Sequence, residues 1–96
     1  NPYLYIASQI HAGLDGLVRG LTPPAATESP YAADVVQLPT NLPEALAALQ
    51  SSAALVEGLG ADFVRYYSHI KHAEVQRHTA AEDKADFERR EYFSRI

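Results

Sequence analysis

The chain has 96 residues, a formal net charge of −4, 47% hydrophobic residues, and neither Cys nor Met. That length bounds it at one small domain with a marginal core, and the apolar fraction excludes a disordered chain, although much of it is Ala, which adds helix propensity more than buried area. The negative charge and the lack of a basic stripe exclude a nucleic-acid footprint. The missing Cys excludes disulfides and thiolate-bound zinc and fits a cytoplasmic origin, and no apolar run reaches the ~20 residues that span a bilayer.

Asn1 can cap a helix and Pro2 fits its first turn, so a first helix is expected over residues 2–20. Ala7, Ile10, Leu14, Leu17, Val18 and Leu21 fall along one of its faces. Gly13 and Gly16 each cost about 1 kcal/mol of propensity relative to Ala, which predicts close approach of another backbone. Gly20, with Pro23 and Pro24 beyond it, ends the helix. Periodicity then disappears over residues 22–40, which read as a long surface loop carrying Tyr31.

A second helix is expected over 42–50. It opens on Asn41-Leu42-Pro43-Glu44, a capping-box pattern with Pro in the first turn, and carries Leu42, Leu46 and Leu49 on one side. Ser51-Ser52 weakens it before a short helix over 53–59, which stops at Gly60. A long helix over 61–78 has Phe63, Tyr66, Tyr67, Ile70 and Ala73 on one face and Arg65, His69, His72 and Gln76 elsewhere. A charged helix over 83–95 follows, with Phe87, Tyr92, Phe93 and Ile96 as a partial apolar edge. No stretch alternates with period two, so the fold class is mainly α with no sheet of its own.

Four segments carry a family resemblance. Asn1-Pro2-Tyr3-Leu4 with Ala7, and Ala12-Gly13-Leu14-Asp15-Gly16, follow the pattern N-P-Y-L-x-x-A…A-G-L-D-G. Leu38-Pro39 and the run Leu42 to Leu49 follow L-P-x-S-L-x-E-A-L-x-A-L. Leu59-Gly60, Asp62-Phe63-Val64, Tyr67, Ile70-Lys71 and Ala73-Glu74 follow L-G-x-E-F-V-x-x-Y-x-x-I-K-R-A-E, and Phe87-Glu88 with Tyr92 sit at a W-E-x-x-x-Y ending. In this order and spacing the chain resembles the glutamine synthetase family. Two departures matter: Phe87 stands for Trp, and His72 stands where the family usually has Arg.

The resemblance implies a helical carboxy-terminal subdomain of an α+β catalytic domain. In such ligases ATP phosphorylates the γ-carboxylate of glutamate, and ammonia or an amine displaces the phosphate. The family's magnesium is held by glutamates that would lie upstream of Asn1. ATP and magnesium are thus implied for the parent enzyme, with none expected on this chain. Members form stacked rings, which implies the rest of the catalytic domain and other subunits as partners. The ending lacks an M-T-x-H-P-type segment and is similar to the γ-glutamyl-amine branch, which implies a polyamine or aromatic amine as co-substrate. Two further features predict that the natural chain continues upstream. It has no Met, and a free amino terminus at Asn1 would put a positive charge at the positive end of the first helix.

The residues themselves offer little chemistry. His69 and His72 lie on a polar face, with His78 further on, and no H-E-x-x-H pattern accompanies them, so they read as solvated histidines. His11 reads as a packed residue. Glu82, Asp83, Asp86, Glu88 and Glu91 alternate with Lys84, Arg89 and Arg90, as on a salt-bridged solvated helix. No glycine-rich phosphate loop occurs. In some bacterial members of the family a loop Tyr accepts a nucleotidyl group, but the flanks of Tyr31 do not match that context, and it reads as a plain loop residue. No catalytic, cofactor-binding or metal-binding residue is assigned. The alternative to a ligase subdomain is a free-standing helical interaction module that binds through Tyr66, Tyr67 and Ile70.

Overall fold

A computed structural model describes residues 1–26 and 36–93. Five helices follow in order: α1 Pro2–Val18, α2 Leu42–Ser51, α3 Ala53–Leu59, α4 Ala61–Ala80 and α5 Lys84–Tyr92, and the described residues contain no strand. Tyr31, the middle of the expected loop and Ile96 at the chain end lie outside the described residues.

Short polar side chains set most of the helix starts. Asn1 Oδ1 accepts from the N–H groups of Tyr3 and Leu4 at 3.0 and 3.3 Å. Asn41 Oδ1 accepts from Glu44 N at 2.9 Å, as a capping box requires. The reciprocal arm, however, reaches one residue further back than in the standard box. Glu44 Oε2 accepts from Thr40 N at 2.9 Å and from Thr40 Oγ1 at 3.0 Å. These bonds, the backbone one from Thr40 foremost, hold Glu44 below the usual carboxylate range. Ser52 ends α2 and caps α3 through Leu55 N, and Asp83 caps α5 through Asp86 N. Gly60 joins α3 to α4 with φ 90°, a conformation that other residues rarely adopt.

The end of α1 is a Schellman motif, two residues before the boundary expected from periodicity. Leu21 N donates to Gly16 O at 2.9 Å, Gly20 N donates to Leu17 O at 3.1 Å, and Gly20 has φ 61°. Helix α4 conversely runs two residues past its expected end, to Ala80.

Packing follows a simple scheme: α1 lies on α3, α2 on α3 and α4, α3 on α4, and α5 on α4 alone. Among the described residues only Leu46 and Val64 are buried hydrophobics, joined by buried Ser68 and Glu74. The radius of gyration is 16.4 Å, against about 13 Å for a compact domain of 100 residues. The helices thus form an open slab with a thin core between α2 and α4.

The inner side of α4 differs from the expected face. Tyr66 and Ile70 are exposed, whereas Val64, Ser68, Lys71, Glu74 and His78 line the packed seam. Phe63 and Tyr67 are half-buried and stack with ring centroids 5.9 Å apart. Four of these five seam residues are polar or charged; the burial of Glu74 is compensated by Lys71 on α4 and Tyr92 on α5, whereas the Ser68 hydroxyl has no hydrogen-bond partner.

Candidate functional site

The first candidate is the outer face of α1. Leu4, Ala7, Ser8, His11 and Asp15 turn toward the rest of the chain. The apolar stripe of Tyr3, Ile6, Ile10, Leu14 and Leu17 points outward, continued by Val18 and Leu21. Leu17 is 79% and Val18 86% exposed. The charges nearest this stripe, Asp15 and Arg19, are neutralised by each other at 3.1 Å. An apolar strip of this length on a helix is the signature of a surface that another body covers. Gly13 and Gly16 have no atom within 4 Å of where a Cβ would stand. The close backbone approach expected there does not come from the described residues.

Close approach occurs instead at Gly58, where a Cβ would fall 2.5 Å from the His11 ring. The sequence carries a signal for this, since Gly58 is a helix-interior glycine that pairs with no turn, but its partner 47 positions away leaves no local trace. A cleft of about 320 Å³ lies between the first turns of α1 and α2–α4, walled by Leu4, Leu49, Leu55, Leu59, Phe63 and Tyr67.

The second candidate is a groove of about 450 Å³ between the start of α2, the second half of α4, and α5. Its polar wall is Glu74, His78, Glu88 and Tyr92. Glu74, 6% exposed, accepts from Lys71 Nζ at 2.8 Å and from the hydroxyl of Tyr92. Burial works against ionisation of Glu74, but the bonds from Lys71 and Tyr92 and the charges of Lys71 and Arg77 outweigh it and hold the carboxyl below its usual range. The same bond to Glu74, followed by burial and the nearby Glu74, Glu91 and Glu88 charges, pushes Tyr92 up to about 12. Arg77 meets Glu91 at 2.8 Å. His78 Nε2 lies 3.2 Å from Glu88 Oε1 without hydrogen-bond alignment, and its ring meets Phe87 edge-on at 5.6 Å.

His69 and His72 are exposed on α4, whereas His78 is half-buried in the groove, contrary to its reading as a solvated residue. Its environment is set by Phe87, which only the fold of α5 onto α4 brings near. Of the carboxylates near the chain end, Asp83 is a helix cap, Asp86 pairs with Arg90 at 2.6 Å, and Glu88 and Glu91 face α4. Among the described residues no three His, Asp or Glu side chains converge as metal ligands. Nor is any described helix long and apolar enough to cross a membrane.

Comparison with known proteins places these features. Residues 1–92 match the family model described as glutamine synthetase, catalytic domain. The chain is 38% identical over 104 aligned positions to a gamma-glutamylanilide synthase of Acinetobacter, covering 98% of this chain and 21% of that protein. It is 34% identical to human lengsin, over 97% of this chain and 18% of lengsin. It is 32% identical to a gamma-glutamylethanolamide synthetase of Streptomyces coelicolor, over 100% of this chain and 21% of that protein. The chain thus spans about a fifth of the length of these relatives. No solved structure matches it.

Proposed function

The chain belongs to the glutamine synthetase family, and on that premise we propose that it is the helical carboxy-terminal part of an ATP-dependent carboxylate–amine ligase. Its task there is structural. The observation that carries this reading is the uncovered apolar stripe of α1, which fits a helix that buttresses the catalytic sheet of the same domain or a neighbouring subunit. The parent acts in the cytoplasm as a homo-oligomer. ATP and magnesium use by the parent is the reading its family membership supports, and we place their binding in the rest of that parent.

Two relatives are named for joining a γ-glutamyl group to an amine larger than ammonia, one to aniline and one to ethanolamine. We assign the same reaction class to the parent. ATP transfers a phosphoryl group to the γ-carboxylate, the amine nitrogen attacks the acyl carbon, and inorganic phosphate leaves with the electron pair of the broken C–O bond. The free-standing-module alternative draws little support, since its binding face is divided: Tyr67 is packed on Phe63 while Tyr66 and Ile70 are exposed.

Phosphate release from ATP with glutamate and a panel of amines tests the assignment. The whole protein should release phosphate with at least one amine and the 96-residue chain with none. Release by the chain alone, or a whole protein inactive with ammonia and every amine, overturns it.

A further inference from the structure

Helix α5 is attached to the molecule in an unusual way. It packs on α4 alone, and none of its residues is buried. Its hold on α4 is mostly polar. Tyr92 donates to Glu74, Arg77 pairs with Glu91, and Lys84 Nζ donates to the carbonyls of His78 and Thr79 at 3.0 and 3.3 Å. The single aromatic contact is Phe87 against His78. The joint between the two helices is short: Ala81 has left the helical region with ψ 133°, and Asp83 is extended with ψ 104°. Beneath α5 lies the groove of about 450 Å³, of which Glu88 and Tyr92 form one wall and Val75 and Leu42 part of the remainder.

We propose that α5 is a releasable strap: it closes one side of this groove through its polar clamp on α4 and lifts away as a unit about Ala81–Asp83, while α1–α4 stay folded. An interface with a substantial apolar core would separate only with the rest of the fold. A clamp of a few directional bonds opens locally, because water replaces each bond once the geometry is lost. Glu74 remains paired with Lys71 when Tyr92 leaves, so opening does not strand an uncompensated buried charge.

Hydrogen exchange on the chain tests the proposal independently of any ligase activity. In the wild type the helical amides of Glu88 to Tyr92 should be protected and should exchange together. Tyr92→Phe, which removes one bond to a charged acceptor, should speed all of them by about ten-fold and leave the amides of α4 from Tyr67 to Glu74 unchanged. Arg77→Gln should act on the same group of amides. Because the chain has no Cys, Val75→Cys provides a single thiol in the groove, and Tyr92→Phe should raise its alkylation rate by the same factor. Unprotected α5 amides in the wild type, acceleration that spreads equally into α4, or an unchanged alkylation rate would each overturn the strap.

Discussion

The imidazole of His11 occupies the space that any side chain at Gly58 would need, with His11 Cγ and Nδ1 2.5 Å and His11 Cβ 2.8 Å from the position of a Gly58 Cβ. This one contact sets how closely α1 lies on α3. Gly58→Ala gains about 1 kcal/mol of helix propensity but overpacks the interface by roughly 1–3 kcal/mol, so the variant should be less stable by about 1 kcal/mol. His11→Ala removes the ring yet keeps Cβ, so the double variant should recover only part of that loss. Urea midpoints of the four proteins in a double-mutant cycle decide this, and a stabilising Gly58→Ala would refute it.

The clamp between α4 and α5 predicts a pH window. Glu74 is held below its ordinary 4.5, so its contribution is complete above that pH and disappears as pH falls through its lower folded-state value. Tyr92 is pushed from 10.0 to about 12, so its contribution is complete below pH 10 and is lost as pH rises toward 12. Tyr92→Phe should abolish the alkaline arm, measured as the protection of the α5 amides against pH, and lower that protection at neutral pH by about 1.5 kcal/mol, the low end for a bond to a charged group.

Ser68 is 1% exposed and its hydroxyl has no hydrogen-bond partner. Leaving such a group unpaired costs about 1–3 kcal/mol. Ser68→Ala should therefore raise stability by about 1 kcal/mol, the lower part of that range, because the methyl group keeps most of the packing. A loss of stability on denaturant titration would show that the hydroxyl is satisfied after all.

The stripe on α1 predicts association of the chain when it is studied alone. Ile10→Gln with Leu14→Gln should lower the associated fraction in sedimentation. Both positions are more than half exposed, at 55% and 51%, so stability should change by only about 0.5 kcal/mol. A wild-type chain that stays monomeric at high concentration would contradict this.

The helices were legible in the sequence because their ends are local events. Asn41 with Glu44, Ser52, Gly60 and Gly20 each act within four residues of the boundary they set. Faces were less legible, since periodicity assigns polar residues outward. Glu74 and His78 lie inward because Tyr92 and Phe87, eighteen and nine residues away, supply a partner and a neighbour. The stripe on α1 was visible as apolar, but which helix α1 would lie on depends on Gly58, a long-range fact. Some of the motif residues that carry the family resemblance turn out to join helices, Gly60 at the α3–α4 junction and Glu74 with Tyr92 between α4 and α5.

The scheme in which α1 touches only α3 has a consequence for the order of assembly. Helices α2, α3 and α4 are joined by a single residue at each junction, so their contacts form at little cost in chain entropy. Docking α1 instead requires closing the whole segment between Val18 and Leu42, for the return of a single helix–helix interface. The α2–α4 unit should therefore form first and α1 should join it late. Until it docks, α1 exposes its inner residues Leu4 and Ala7 as well as its outer stripe, and it is the segment on which misassembly between copies would begin.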